Sequence, residues 1–215
     1  MGSVDWGLDE LVDYTPTLTA ATDFHQFWHN NLEQSSQVPL KPSFKRIDDL
    51  LPGACVYDAS FDGVDGVRVR GWFITPEGSP ASLPTVVKFI GYSGGRSLVH
   101  VHAHHVLNGF NVFVMDSRGQ GGDTGLHLHT THGARRGFIT HGILDPEEYY
   151  FRAFYMDTVR AVEVACGRPE VDANRIAAIG GSQGGALTIA CASLSDRVAA
   201  MAPDVPWLSH FERAI

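Results

Sequence analysis

Ser182 is the residue best placed to do chemistry. It stands in Gly180-Gly181-Ser182-Gln183-Gly184, a G-x-S-x-G pattern between the apolar run Ile176-Ala177-Ala178-Ile179 and the stretch Gly185-Ala186-Leu187-Thr188-Ile189-Ala190. A buried strand, a glycine-rich turn and a helix opened by small residues are the parts of a nucleophile elbow, where a strained strand-to-helix turn lifts a serine above the sheet. Gly180 and Gly184 stand where side chains would collide with neighbouring chain. Ser182 is thereby a candidate nucleophile for acyl transfer. The N–H of Gln183, at the helix start, points at a developing oxyanion with the helix dipole behind it. A second donor is expected from the loop after another strand. Val87-Lys88-Phe89-Ile90-Gly91-Tyr92-Ser93-Gly94-Gly95 ends in such a glycine-rich turn, with the Tyr92 N–H as the candidate.

Two rival chemistries fail on spacing. A dinucleotide site needs G-x-G-x-x-G, but here the second glycine would be Ser182, and in Gly119-Gln120-Gly121-Gly122-Asp123-Thr124 the third would be Thr124. His100-Val101-His102-Ala103-His104-His105 nearly matches the H-x-H-x-D-H of zinc-dependent hydrolases, with His104 replacing the aspartate. That stretch falls where a crossover helix is expected, and on a helix His100 and His104 diverge from His102. These imidazoles read as exposed or hydrogen-bonded, and His127, His129 and His132 as loop residues. No metal and no cofactor is expected.

The scaffold that must position Ser182 is legible in the periodicity. From residue 84 onward, short β-branched runs alternate with helical patterns, the texture of a buried parallel sheet with crossover helices. Strands are expected at 85–90, 110–115, 175–179 and 198–205. Runs at 54–61 and 67–75, around Asp62-Gly63 and Asp65-Gly66, predict a hairpin. Phe24, Phe27, Trp28 and Leu32 recur at helical spacing and predict an amphipathic helix over 20–34, followed by a linker rich in serine and proline. Asp145-Pro146-Glu147-Glu148 offers a cap, a first-turn proline and first-turn acids, and predicts the start of a helix that stops at Gly167-Arg168-Pro169. The chain therefore reads as one α/β domain over 1–215, with 1–50 as an N-terminal helical extension.

Composition sets the surroundings. Of 215 residues 44% are apolar, enough for one large core. With 24 acidic against 16 basic residues, the formal charge of −8 disfavours nucleic acid as a partner. No apolar run approaches the roughly 20 residues of a membrane-spanning helix. Cys55, Cys166 and Cys191 are an odd number without C-x-x-C spacing, which fits small core residues in a reducing compartment. The N-terminus shows no basic region followed by an apolar stretch, so a cytoplasmic protein is expected.

Gly91-Tyr92 after one strand, Arg118-Gly119-Gln120 after the next, Gly142 to Tyr150 continuing through Tyr155-Met156-Asp157 to Glu163, and Gly180 to Gly185 stand in order along the chain. Together they resemble the acetyl xylan esterase and cephalosporin C deacetylase family of carbohydrate esterases. The likeness runs from the first helix to Asp204-Val205-Pro206-Trp207 and His210-Phe211. It implies an α/β-hydrolase with a mostly parallel central sheet and helices on both faces. It also implies removal of acetyl groups from small esters and short acetylated sugars, including xylo-oligosaccharides and cephalosporin C, by a cytoplasmic homo-oligomer. By that resemblance Ser182 is the nucleophile, the backbone N–H groups of Tyr92 and Gln183 form the oxyanion hole, and Arg118 and Gln120 are structural, fixing the turn near the site. Ile90 is a departure, since the family often has histidine there.

A larger departure concerns the base. In that family the triad aspartate and histidine follow the nucleophile on later loops, the histidine in an H-x-E type motif, and neither is expected within these 215 residues. Two further strands would also follow the one at 198–205, leaving its edge bare, or paired with another copy or a chain that brings the missing strands. His210 is the least implausible substitute base, although Phe211 and Glu212 read as a helix start that would fix it elsewhere. The rival reading is a catalytically incompetent hydrolase fragment that acts only by binding or complementing a partner.

Overall fold

The computed structural model describes residues 6–79, 81–127 and 137–210. A short helix α1 (Leu8–Val12) and α2 (Phe24–Gln37) precede a seven-stranded sheet in the order β1-β2-β3-β5-β4-β6-β7. The strands are β1 (Ser43–Ile47), β2 (Ala54–Asp62), β3 (Arg68–Pro76), β4 (Leu83–Phe89), β5 (Asn111–Met115), β6 (Val171–Gly181) and β7 (Val198–Asp204). The first three pair antiparallel, β3 joins β5 antiparallel, and β5, β4, β6 and β7 run parallel. A 3-10 turn (Val99–His102) leads into α3 (Ala103–Leu107), while α4 (Tyr150–Cys166) and α5 (Gln183–Leu194) complete the described helices.

Strand burial follows the patterns that predict it. All five residues of β5 are buried, as a central parallel strand requires. Phe73, Val87, Phe89, Phe113 and Met115 turn to one face, where Phe151, Phe154 and Val162 of α4 and Leu187 of α5 cover them. Val56, Ile74, Val112 and Val114 turn to the other, against Val99 and Val106. The β2–β3 hairpin closes as its turn residues foretell. Gly63 N–H donates to Val67 O at 2.8 Å, and Gly66 takes φ +80°, which glycine accepts without strain.

Two elements differ from the sequence reading. β1 lies in the stretch read as linker and extension; its residues are half-buried or exposed, so Ser43, Lys45 and Arg46 left no apolar alternation to detect. The long helix begins at Tyr150, not at Asp145. Asp145 Oδ1 accepts the Glu147 N–H at 2.8 Å and its carbonyl accepts the Glu148 N–H at 3.1 Å, so the capping signal closes a turn instead. Gly167 ends the helix as expected.

A buried arginine ties the end of α2 to this body, beside the packing of Trp28 against Tyr155. Arg160 on α4 is buried, and its guanidinium donates to the carbonyls of Ser35, Val38, Pro39 and Asp62 at 2.7 to 3.2 Å. These include the Ser35 carbonyl in the last turn of α2, which also accepts the Val38 N–H at 3.2 Å, and the carbonyls of Val38 and Pro39 just beyond the helix.

Candidate active site

β6 and α5 meet at Ser182, whose φ of 56° and ψ of −118° lie outside the regions ordinary residues prefer. The strand carries it to the C-terminal edge of the sheet and the helix starts at once, leaving the residue exposed. A Cβ at Gly180 would lie 2.8 Å from the Phe89 carbonyl oxygen, and one at Gly184 would collide with the same oxygen. Both glycines of the motif are therefore required by β4, the strand next door. Ser182 N–H donates to Asp204 O, and Trp207 N–H donates back to Ser182 O, each at 3.0 Å.

The turn after β4 arrives beside the elbow: a Cβ on Gly91 would sit 3.6 Å from the Gly181 carbonyl oxygen. Gly94 N–H closes it onto Gly91 O at 3.1 Å, and Ser93 adopts φ +63°. The Tyr92 ring is partly exposed, edge-on to Trp207 at 5.6 Å and to Phe138 at 6.0 Å, and its hydroxyl oxygen accepts the Phe138 N–H at 3.3 Å. Gln183 is the first residue of α5, where an N–H has no partner within the helix. The backbone thus brings Ser182, the Tyr92 turn and the Gln183 turn to one end of the sheet.

Behind the turns lies a network of buried polar groups. Arg118 and Asp157 are both fully buried; Arg118 Nε and Nη2 donate to the Asp157 carboxylate at 2.6 and 2.8 Å, and Nη1 reaches Asp65 at 2.6 Å. Burial holds the Asp157 carboxyl above its ordinary value, and Arg118 pulls against that shift. Burial pulls on Arg118 as well, but Asp157 and Asp65 outweigh it and hold the guanidinium above its ordinary value. The triad joins the hairpin turn at Asp65 to α4, and Arg118 O accepts the Tyr150 hydroxyl at 2.7 Å. Gln120 accepts the Ser93 N–H at 2.7 Å.

The loops also rest on residues that sequence reading does not single out. Asp116, at the end of β5, is buried and accepts the N–H groups of Arg96, Asp123 and Thr124. Arg96 lies over the Trp72 ring at 3.9 Å and pairs with Asp58 and Asp123. No motif marks these groups, since an Asp after a strand is common; only Gly95 and Gly122, packed on the Asp116 carboxylate, hint at it.

The histidines go elsewhere. His102 is buried and its Nε2 lies 2.9 Å from Arg96 O, while the His104 and His105 ring centroids lie 3.9 Å apart with the rings tilted at 42°. Burial first, then neighbouring His104 and Lys88, hold His105 down at about 4, and burial also lowers His102. Among the described residues no group of three or more His, Cys, Asp or Glu could hold a metal ion. His210 Nε2 lies 2.6 Å from Tyr14 Oη, so this imidazole is engaged with the N-terminal segment. His129, His132, Phe211 and Glu212 lie outside the described residues. Cys191 is buried, with its thiol pushed up to about 12 by burial; Cys55 and Cys166 are half-buried. Among the described residues no helix is long and apolar enough to cross a membrane.

A mostly parallel sheet with helices on its faces and a strained serine at a strand-to-helix turn define an α/β-hydrolase fold. The family model for acetyl xylan esterase (AXE1) matches residues 1–215, and the chain belongs to that family. The solved acetyl xylan esterase from Paenibacillus sp. R4 is 42% identical, with a TM-score of 0.94 over 97% of this chain and 67% of its own. Acetyl xylan esterase 1 from Thermoanaerobacterium sp. JW/SL YS485 is 33% identical, with a TM-score of 0.92 over 97% of this chain and 66% of its own. The acetyl esterase Axe7A of Xylanibacter ruminicola is 26% identical over 196 residues, 87% of this chain. The chain spans 44% of the length of that relative.

Proposed function

We propose that the protein is a serine carboxylic-ester hydrolase that removes acetyl groups from acetylated xylo-oligosaccharides, cephalosporin C and other small acetyl esters. The observation that carries this reading is Ser182 at φ 56°, exposed on the elbow with the Tyr92 turn alongside. Ser182 Oγ attacks the acetyl carbonyl and its proton passes to an imidazole base. The oxyanion that forms is held by the N–H groups of Tyr92 and Gln183. Collapse breaks the bond to the sugar oxygen, which takes the proton, and leaves acetyl-Ser182; water then releases acetate and restores the serine.

The base and its orienting carboxylate belong, in this reading, to the part of the relatives' fold that the chain does not span. His210, held by Tyr14, is not assigned to it. Loss of such a unit costs on the order of 10⁶ in rate in a serine protease. The 215-residue chain is therefore expected to turn over several orders of magnitude more slowly than a version extended to the relatives' length. The three unpaired cysteines support a reducing, cytoplasmic setting. Release of acetate from acetylated xylo-oligosaccharides tests the reading in the extended version. The expected result is release that Ser182→Ala abolishes, and release that survives the substitution overturns it.

A further inference from the structure

The two proposed oxyanion donors sit on separate turns, and something must fix the gap between them. The side chains of Gln120 and Gln183 meet there as a reciprocal amide pair. Gln120 Nε2 donates to Gln183 Oε1 at 2.9 Å, and Gln183 Nε2 donates to Gln120 Oε1 at 3.2 Å. Each amide is then locked by the turn it serves. Gln120 Oε1 accepts the N–H of Ser93, the residue after Tyr92, at 2.7 Å, and Gln183 Nε2 donates to Ile90 O, two residues before Tyr92, at 3.3 Å.

Backbone partners set the orientation of both amides. The Ser93 N–H can only donate, so oxygen must face it; the Ile90 carbonyl can only accept, so nitrogen must face it. The second proton of Gln120 Nε2 goes to Tyr150 Oη at 2.8 Å, and that hydroxyl donates onward to Arg118 O at 2.7 Å. Both donors of each amide nitrogen are used. Gln183 and Tyr150 are fully buried, so neither has water as a substitute partner.

We propose that Gln120, Gln183 and Tyr150 form a clasp that positions the Tyr92 and Gln183 N–H groups against one oxyanion. This inference rests on the esterase reading above and adds to it a role for three side chains. Gln183 acts twice: its backbone N–H touches the oxyanion, and its side chain is a positioning group that spans to the other turn. Tyr150 is a positioning residue whose hydroxyl holds the clasp from behind.

A clasp has a signature that loss of stability alone lacks. Breaking either amide undoes the same linkage, so the second break costs nothing more. In the version extended to the relatives' length, with 4-nitrophenyl acetate as substrate, Gln120→Met and Gln183→Met are each expected to lower kcat roughly 10- to 100-fold. That is somewhat less than losing a donor outright, and KM should stay within about twofold. The double variant should match the worse single. Tyr150→Phe, which removes one oxygen, should give a smaller fall in kcat in the same direction. Single effects that multiply, or a loss that lies in KM, overturn the clasp. Amide hydrogen exchange on the 215-residue chain supplies a readout independent of turnover. Either single variant should loosen the Ser93 and Gln183 amides together while Val87 in β4 stays protected. Exchange that rises at one turn only overturns the clasp even if no ester is hydrolysed, whereas coupled exchange together with no acetate release from the version extended to the relatives' length refutes the esterase reading and leaves the linkage standing.

Discussion

The Ser182 N–H donates to the Asp204 carbonyl at 3.0 Å, so the elbow is bolted to the end of β7 rather than held by its own strand and helix alone. Trp207 N–H returns to Ser182 O, and Trp207 also stands edge-on to Tyr92. One segment after β7 thus touches both the candidate nucleophile and the turn that carries a candidate oxyanion donor.

Gly185→Ala tests that bolt. A Cβ there would lie 2.7 Å from Asp204 O and 2.9 Å from Pro206 Cα, both backbone atoms that cannot swing away. The substitution is expected to cost roughly 1–3 kcal/mol and to slow labelling of Ser182 by a serine-reactive reagent. A variant with wild-type urea midpoint and labelling rate shows that the contact gives way freely.

Arg118→Met leaves the fully buried Asp157 carboxyl without its two guanidinium donors. Removing one partner of such a pair costs about 3–5 kcal/mol. Urea unfolding should show a loss of that size in the single variant and a smaller one when Asp157→Leu accompanies it. A single variant within about 1 kcal/mol of wild type, below that range, contradicts the picture of a buried ionic frame.

His102 and His105 are held below the ordinary imidazole value, His105 at about 4, chiefly by burial. The native state therefore keeps them neutral while the unfolded chain protonates near 6.5. Their contribution to stability is complete above that value and drains away as pH falls from about 6.5 toward 4. Between pH 7 and pH 5 the wild type should lose more stability than His105→Gln, measured by urea midpoints. Equal losses in the two proteins refute the assignment.

β7 pairs with β6 alone and ends the described sheet, with Met201 and Val205 well exposed along and just beyond it. An open apolar edge is a template for another strand. The 215-residue chain should self-associate at micromolar concentration in light scattering, and Met201→Lys should weaken the association. A monodisperse monomer at those concentrations rules out pairing along this edge.

The sequence reveals most where chemistry and packing demand the same residues. Gly180, Gly184 and Ser182 announce the elbow because only glycine fits against the Phe89 carbonyl, and β5 announces itself because it is buried on both faces. β1 stays silent because its side chains face water, and Asp145 misleads because a capping box and an Asx turn begin with the same residue types. The clasp and the Asp116 frame are invisible for another reason. Gln120 and Gln183 are 63 positions apart, and nothing local in either segment requires the other.

The central claim is that Ser182 is the acyl acceptor, and covalent labelling reads it directly. Incubation of the version extended to the relatives' length with an alkyl fluorophosphonate, followed by peptide mapping, should place one adduct, on Ser182, and Ser182→Ala should abolish it. An adduct on any other residue, or acetyl-ester hydrolysis that persists in Ser182→Ala, contradicts the account.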